Sequence, residues 1–431
     1  MHVRVKLERM IHGGSALGRH GRKAVFVSGG IAGEVVEVEV LEEKADYCLG
    51  RVARLLEPSP SRVEPRCPLF GQCGGCHWQH IDYSAQLRFK EQILGEQLRR
   101  IGGFADPSLL PILGMEEPWH YRHKSRFGLR TVGERVLLGY YRPGTRQPVE
   151  LEGCPILEAH INALYAKLRD EFKQWLRPFR GFCTVEVRSS PEGAQVLMNT
   201  STRFQQGLAR VVEGLRELPF VKGVHHRLLR RGVSPRYTTY FGDPSIFYTI
   251  GGWRFQVQPT SFFQVNLRQA ERLFPRAIEL LKISGGPILD GYCGVGVLTL
   301  MASKSAGEVV GVDSVPSAIE DAERNAQLNG VENATFIEGL FQDRLAQLKG
   351  QRWDGVILDP PREGVVVKKA LRQLAKIGPA KILYISCNPT TLARDCRRLC
   401  DGGYTLRLVQ PVDMFPHTYH IEGIALLESK V

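Results

Sequence analysis

The sequence lacks the long apolar runs that mark membrane proteins and exported chains. No stretch reaches the roughly 18 consecutive apolar residues that a transmembrane helix needs. Residues 1–6 have no apolar segment of the kind found in signal peptides. Low-complexity tracts and long repeats are absent as well. We therefore expect a cytoplasmic protein without membrane contact.

Acidic residues are fewer than basic ones. The 57 Lys and Arg residues outnumber the 45 Asp and Glu residues, and the formal net charge is +12 at pH 7. A surplus of positive charge favours a polyanionic partner such as nucleic acid, although many basic proteins bind none. The composition is otherwise that of an ordinary folded protein, and 431 residues predict two to four domains.

Disulfides are not expected among the ten cysteines, because a large cytoplasmic chain keeps its thiols reduced. Cys67, Cys73 and Cys76 form a cluster with three glycines inside it, and Cys154, before a proline, is a candidate fourth ligand. Zinc often takes four thiolates, but its sites usually pair two Cys-x2-Cys knuckles and only one is present. A Cys-Pro pair is familiar at iron–sulfur sites. The residues alone leave both metals open.

Short strands separated by glycine turns predict a small β-barrel over residues 1–57. Residues 25–27, 35–40 and 51–56 are rich in β-branched and other apolar side chains, and the second run alternates with period two. A closed barrel leaves no exposed sheet edge, and oligonucleotide-binding barrels have this size. The segment 58–61, with two prolines, predicts a linker.

From residue 287 onward, strands alternate with helices, which predicts a parallel, doubly wound sheet. The first strand runs into a glycine loop, residues 290–296, and Asp313 ends the next strand at the spacing of a ribose-binding acid. The loop has the order Gly-x-x-Gly-x-Gly and begins with an acid. That order suits the cationic amino-acid end of S-adenosylmethionine better than a pyrophosphate; a tight turn is the structural alternative.

A cysteine and a glutamate near the C-terminus carry the chemistry. Cys387 follows a strand and precedes Asn-Pro, where proline suits the first turn of a helix, so the helix dipole is expected to favour its thiolate. A thiolate added to carbon 6 of uracil makes carbon 5 electron-rich enough to take a methyl group. The carbon-5 proton must then leave, and Glu422 is the candidate base. The alternatives are a packing cysteine and a surface carboxylate.

A third segment, Asp359-Pro360-Pro361-Arg362, follows another strand. An acid before two prolines is common where a methyltransferase presents an acceptor nucleobase. Asp359 is therefore a candidate to contact the ring N–H of uracil or the cofactor. A rigid turn would account for the prolines but not for the acid.

Jointly, these motifs resemble the RNA 5-methyluridine methyltransferases, in the branch with a TRAM barrel and a 4Fe–4S cluster. The resemblance spans essentially the whole chain. Its motifs are Gly13-Gly14-x-x-Leu17-Gly18-Arg19, the set Cys67, Cys73, Cys76 and Cys154 with Gln79-His80, Phe262-Phe263-Gln264-Val265-Asn266, Asp359-Pro360-Pro361-Arg362, Ser386-Cys387-Asn388-Pro389, and Phe415-Pro416-His417-Thr418-x-His420-x-Glu422.

The resemblance implies a multidomain α/β protein. It divides the chain into an OB-like TRAM barrel (1–57), a central α+β domain with the iron–sulfur cluster (66–91 and 125–250), and a Rossmann-like class I methyltransferase domain (92–124 and 251–431). It also implies two cofactors, S-adenosylmethionine and a 4Fe–4S cluster, the latter held by Cys67, Cys73, Cys76 and Cys154.

Site roles follow from the same resemblance. Cys387 would be the nucleophile and Glu422 the base. The residues implied to line the cofactor or uracil site are Gln264, Tyr292, Asp313 and Asp359. The sequence departs from some family members at Gly339 and Val297, where a polar side chain is replaced, so no side-chain contact to the cofactor is expected there.

Members with the cluster mostly methylate 23S ribosomal RNA, and some methylate the T-loop of transfer RNA. We therefore expect 23S rRNA as the substrate, with tRNA as the alternative. We also expect a monomer. Residues 119–126 and 227–231 are basic candidates for RNA contact, with a solvated charged surface as the alternative. The target uridine must be unstacked to reach Cys387.

Two other classes remain as alternatives. A radical methylthiotransferase also joins a TRAM barrel to a cluster, but it uses Cys-x3-Cys-x2-Cys and leaves one iron open. Here the spacing is Cys-x5-Cys-x2-Cys with a fourth cysteine available, which argues against that class. A non-catalytic RNA-binding or assembly protein would not need Cys387 and Glu422, yet both stand in their motifs.

Overall fold

The computed structural model describes residues 1–176, 183–201, 206–230, 232–345, 347–348 and 350–430. No helix in these ranges is both long enough and apolar enough to cross a membrane. Arg231, the last residue of the second predicted basic segment, lies outside them.

The N-terminal strands close into a barrel, as predicted. Alternate side chains of the first strand, at Val3, Val5 and Leu7, point into its core because successive strand residues face opposite sides. In the described chain the closed order is β1-β2-β3-β5-β4. The strands are β1 (His2–Met10), β2 (Ala16–His20), β3 (Lys23–Ser28), β4 (Val35–Glu43) and β5 (Tyr47–Glu57).

A buried carboxylate ties the barrel to the segment that follows it. Glu34 is fully buried, and the Arg62 guanidinium donates to both of its oxygens, Nε to Oε1 over 2.6 Å and Nη2 to Oε2 over 2.8 Å. The backbone N–H of Ile31 also donates to this carboxylate. The predicted linker is therefore docked on the barrel by a bidentate pair.

The middle of the chain forms a mixed sheet with helices packed on it. Two adjacent inner strands, Cys183–Ser190 and Gly193–Thr200, are buried at every residue because both faces of the sheet are covered there. Within the described residues the order is β12-β11-β10-β9-β6-β7-β8. Its strands are β6 (Lys124–Val132), β7 (Arg135–Tyr141), β8 (Pro148–Val149), β9 (Cys183–Ser190), β10 (Gly193–Thr200), β11 (Val221–Arg230) and β12 (Val233–Phe241).

Helices before and within this region connect it to the rest of the chain. They are α1 (Tyr83–Arg100), α2 (Ala159–Lys167) and α3 (Gln206–Arg216), with a π-helical turn (Leu168–Phe172) and a 3-10 turn (Lys173–Leu176) after α2. A hairpin of β13 (Ile246–Ile250) and β14 (Trp253–Val257) leads into the C-terminal part.

The C-terminal part is the predicted doubly wound sheet. Its strands are β15 (Ile288–Asp290), β16 (Val309–Asp313), β17 (Ala334–Glu338), β18 (Gly355–Leu358), β19 (Lys381–Ser386), β20 (Tyr404–Val412) and β21 (Glu422–Ser429). Its helices are α4 (Leu267–Leu281), α5 (Val297–Ser303), α6 (Pro316–Leu328), α7 (Phe341–Arg344), α8 (Lys368–Ile377) and α9 (Pro389–Asp401). In the described chain the order is β17-β16-β15-β18-β19-β21-β20. The first five strands are parallel, and β21 is antiparallel to both its neighbours.

Helix α1 crosses residue 91, where a domain boundary was predicted. It packs against α9, and its Lys90 forms a fully buried ion pair with Asp413, Nζ to Oδ1 over 2.6 Å. The Tyr83 hydroxyl donates to the other oxygen of Asp413 over 2.9 Å. We therefore propose that all of α1 belongs with the methyltransferase domain, and the rest of the division stays a prediction.

Replacing Asp413 with alanine should lower the free energy of unfolding by about 3–5 kcal/mol, because the Lys90 ammonium would stay buried without its counter-charge. The matched control is Asp401→Ala, which removes an exposed i,i+4 pair with Arg397 and should cost about 0.5 kcal/mol. Denaturant titration measures both. Equal losses in the two variants would show that the buried pair contributes nothing special.

Candidate active site

The pairing of β19 with β21 brings the predicted nucleophile and base together. Ser386 at the end of β19 faces Gly423 of the antiparallel β21. The next residue on one strand is Cys387 and on the other is Glu422, so both lie at the same edge of the sheet. Glu422 is only 3% exposed, which excludes a surface carboxylate, and Cys387 is half-buried.

The expectation that the helix dipole favours the Cys387 thiolate is not met. Burial, together with the smaller effects of the carboxyl groups of Glu422 and Asp359, raises the pKa of Cys387 to about 12, while Arg362 opposes them. Cys387 does precede α9, whose first turn is capped by the Asn388 side chain accepting from the Thr390 N–H. The two acids and the loss of water outweigh the half charge at a helix end.

The two acids beside the thiol also resist ionisation. Burial raises the pKa of Glu422 well above its ordinary value, and the neighbouring Asp359 raises it further. Burial likewise raises the pKa of Asp359 to about 7. A pair of close carboxyls cannot both ionise cheaply. The ionised forms of these buried acids would be stabilised by a nearby cation.

A second acidic group lies at the glycine loop, at the carboxyl ends of β15 and β16. Asp290 is fully buried, and burial raises its pKa to about 7. The hydrogen bond that the Thr299 hydroxyl donates to Oδ2 (2.7 Å) acts in the opposite direction. Its Oδ1 has no hydrogen-bond partner within the described chain. The predicted binding residues do not include Asp290, although its place at the start of the glycine loop is a sequence signal for such a role. An unpaired buried oxygen points to a missing donor.

Asp313 and Tyr292 line the same loop. Asp313 accepts from the backbone N–H groups of Gly294 (3.0 Å) and Val315 (2.9 Å), so its carboxylate is fixed at the strand end. The Tyr292 ring lies 5.3 Å from that of Phe341, and burial raises the pKa of its hydroxyl to about 12. The crevice at β15 and β18 is where the strand order reverses, the usual ligand site of such sheets.

The two departures from the family are structural. Gly339 has φ +149, and a Cβ there would lie 2.4 Å from the Arg344 side chain. Val297 is the first residue of α5 and is buried at 7% exposure. Both positions serve packing and backbone geometry.

Gln264 lies in the loop between β14 and α4, and both flanks of that loop are fixed. On one side the buried Arg188 guanidinium donates to the carbonyls of Gln258 (3.0 Å), Pro259 (2.7 Å) and Ser261 (3.0 Å). On the other side the N–H of His123 donates to the Val265 carbonyl over 3.1 Å. Arg188 comes from β9 of the central sheet, and no sequence signal links it to this loop.

The loop that leads to Glu422 is fixed just as firmly. His417 has φ +64, and its carbonyl accepts the N–H groups of both His77 and Trp78, each at 2.9 Å. Gln86 of α1 accepts from the His417 N–H, and the Trp119 ring stacks on the imidazole at 3.7 Å. The residues directly after Cys76 thus hold the residues directly before the candidate base.

Cys67, Cys73, Cys76 and Cys154 line one cavity. No group of three or more His, Cys, Asp or Glu side chains in the described ranges is arranged to hold a metal ion. Burial raises the pKa of Cys76 to about 12 and that of Cys154 to about 11. The backbone N–H of Gly75 donates a hydrogen bond to the Cys73 sulfur over 3.4 Å.

The first predicted RNA contact, residues 119–126, largely faces inward. Trp119 is 8% exposed and Tyr121 3%, because Trp119 stacks on His417 and the Tyr121 hydroxyl donates to the Pro416 carbonyl. Their aromatic rings serve the core rather than RNA. In the second segment Arg227 lies over the Tyr237 ring at 5.5 Å.

Two family descriptions match the chain. One, tRNA (uracil-5-)-methyltransferase, matches residues 249–430, and the other, TRAM domain, matches residues 2–53. A protein of Caldanaerobacter subterraneus described as an uncharacterised RNA methyltransferase is 36% identical over 98% of this chain and 97% of its own. A protein of Halalkalibacterium halodurans with the same description is 34% identical over 99% of this chain and 97% of its own length.

Among solved structures, the tRNA (uracil-54, C5)-methyltransferase of Pyrococcus abyssi in complex with S-adenosyl-L-homocysteine aligns with a TM-score of 0.77 at 26% identity. The alignment covers 99% of this chain and 100% of that one. Because relatives, family descriptions and fold agree over nearly the full length, the chain belongs to the RNA (uracil-5-)-methyltransferases, enzymes with an S-adenosylmethionine-dependent fold and a TRAM barrel.

Proposed function

We propose that the protein methylates carbon 5 of a uridine in RNA through a covalent bond between Cys387 and carbon 6. The observation that carries this proposal is the placement of Cys387 and Glu422 side by side at the carboxyl edge of the sheet, with Asp359 acting on both.

The nucleophilic step uses the Cys387 sulfur. As a thiolate it adds to carbon 6, the C5–C6 π bond breaks, and its electron pair moves to carbon 5 and the adjoining carbonyl. Because the thiol is protonated in the free protein, its proton must leave first. A cation bound in the crevice favours the thiolate, and the thiol proton passes to solvent water, which leaves the Glu422 carboxylate free for the later step.

Elimination needs a base next to the ring. Glu422 as carboxylate takes the carbon-5 proton, the C5–C6 double bond re-forms and the Cys387 thiolate leaves. A base whose pKa is raised toward neutrality suits this work better than an exposed glutamate. Asp359 would accept the ring N–H of uracil or contact the cofactor.

S-adenosylmethionine supplies the methyl group when it is bound. The residues that would hold it are Gln264, Tyr292, Asp313 and Asp359, together with Asp290. The unpaired Oδ1 of Asp290 fits the cationic amino-acid end, and Asp313 at the end of β16 fits ribose hydroxyls.

Cys387→Ala should abolish both methyl transfer and the covalent adduct with RNA that contains 5-fluorouridine. Glu422→Gln should still form an adduct but turn over about 10²–10⁴-fold more slowly, because only proton removal is lost. Denaturing gels and transfer of labelled methyl groups measure the two properties.

Cys400→Ala is the matched control, since it removes a thiol from α9, the helix that follows Cys387, and should leave both properties intact. An adduct that persists in Cys387→Ala would refute the proposed nucleophile.

For the substrate we propose 23S ribosomal RNA, because the chain resembles the branch of the family that carries the four cluster cysteines. The T-loop of tRNA is the second candidate, because the Pyrococcus abyssi neighbour is a tRNA (uracil-54, C5)-methyltransferase with the same overall fold. The barrel and the positive charge of the chain suit either RNA.

Deleting the gene should remove 5-methyluridine from 23S rRNA and leave tRNA unchanged. Mass spectrometry of nucleosides from separated RNA fractions measures this, and complementation by the wild-type gene but not by Cys387→Ala is the control. Loss confined to position 54 of tRNA would instead establish the second candidate.

We further propose that Cys67, Cys73, Cys76 and Cys154 hold a 4Fe–4S cluster. All four line one cavity, and the Gly75 N–H aimed at a sulfur is typical of such sites. A single ion needs thiolates within about 4.6 Å of one another, twice the zinc–sulfur distance, whereas a cluster spans wider ligands. With each iron bound by cysteine, the cluster would be structural.

Protein purified without oxygen should contain about four iron atoms and matching sulfide per chain. Cys73→Ser should lose iron, whereas Cys183→Ser, which alters a buried thiol outside the cavity, should retain it. Metal analysis that finds zinc, or iron unaffected by Cys73→Ser, would contradict the cluster.

A further inference from the structure

Four aromatic rings from distant parts of the chain meet beside the candidate site. The Tyr419 ring is central: its centroid lies 4.5 Å from that of His77, 4.5 Å from that of His420 and 6.4 Å from that of His12. His12 belongs to the turn after β1 of the barrel, His77 follows the cysteine cluster, and the other two belong to the C-terminal motif. We call these four residues the ring platform.

The ring platform borders the catalytic residues. His420 stands two residues before Glu422 in the sequence. The charge of Arg362, which acts on the Cys387 thiol, also acts on His12 and His420, so the guanidinium lies within electrostatic reach of all three. Arg362 itself is exposed and can meet a phosphate. The platform therefore lies close to the chain segment that leads into Glu422.

The rings are not ordinary core packing. All four residues are only partly buried, unlike the fully buried rings of the sheet cores. The Nδ1 atoms of His12 and His77 have no hydrogen-bond partner within the described residues. Buried nitrogens without partners are costly unless a ligand or water meets them.

The Tyr419 ring is held in place by the barrel. A Cβ on Gly14, which has φ +93, would lie 2.6 Å from Cδ1 of Tyr419, so the barrel backbone touches the ring directly. Burial lowers the pKa of His12, and lowers that of His420 to about 4. At neutral pH these two imidazoles are therefore uncharged rings, which accept a nucleobase face without sequence preference.

We propose that the ring platform stacks an unpaired nucleobase next to the uridine that is methylated, with Tyr419 as its central surface. This inference rests on the proposed function for the position of the uridine. It assigns the barrel a direct part in the substrate site, through His12, in addition to general RNA affinity.

The test combines a protein variant with an altered RNA. The probes are single-stranded RNAs of about 12 nucleotides with one 5-fluorouridine, each carrying one abasic nucleotide at one of the three positions on either side. Affinity is measured by fluorescence anisotropy without cofactor, using the full-length protein. Tyr419→Ala should weaken binding of the intact RNA roughly 5- to 100-fold, the range for loss of one stacked base.

The decisive result is coupling at one position. For one of the abasic RNAs, the affinity of wild-type protein should fall by a similar factor. The affinity of Tyr419→Ala should be the same for that RNA as for the intact RNA, because removing the base and removing the ring abolish the same interaction. Tyr419→Phe should bind like wild type, since the ring remains. Independent, multiplicative losses at every position, or unchanged affinity in Tyr419→Ala, would overturn the proposal.

Tyr47→Ala is the matched control. Tyr47 begins β5 beside Ala24, near the β2–β3 turn and hence at the barrel end opposite His12, and it should show no coupling to any abasic position. Covalent trapping of the same RNAs is scored separately. Absent adducts with intact coupling would refute the proposed catalysis alone, and normal adducts without coupling would refute the platform alone.

Discussion

The antiparallel pairing of β21 with β19 is the constraint on which the candidate site depends. Side chains at the end of a parallel strand usually face only those at the same edge of the sheet. The reversed strand β21 begins at that edge, so its first residue, Glu422, enters the crevice beside Cys387. A register shift of one residue would turn the glutamate to the other face.

That register is maintained by contacts from outside the sheet. The stretch before β21 is fixed at Asp413 by Lys90 of α1 and at His417 by the segment after Cys76. The loop of Gln264 is fixed in turn by Arg188 from the central sheet. The methyltransferase fold therefore supplies the crevice, while the rest of the chain sets the positions of its walls.

Local pattern was enough to predict the strands and helices of the C-terminal sheet, the glycine loop and the barrel, because strand alternation and turn residues act over a few positions. It failed where the outcome depends on distant groups. The basic and aromatic pattern of residues 119–126 gave no sign that Trp119 would stack on His417. The pKa of Cys387 likewise depends on acids that arrive from two other strands, and a helix-end argument could not include them.

The acids of the crevice have a consequence for turnover. Under the proposed function, Asp359 and Glu422 in their ionised forms attract the positive sulfur of the methyl donor, and this attraction is strong where water is scarce. Once the donor has given up its methyl group, its sulfur is a neutral thioether and that attraction ends. On this proposal, the chemical step itself weakens the electrostatic hold on the by-product.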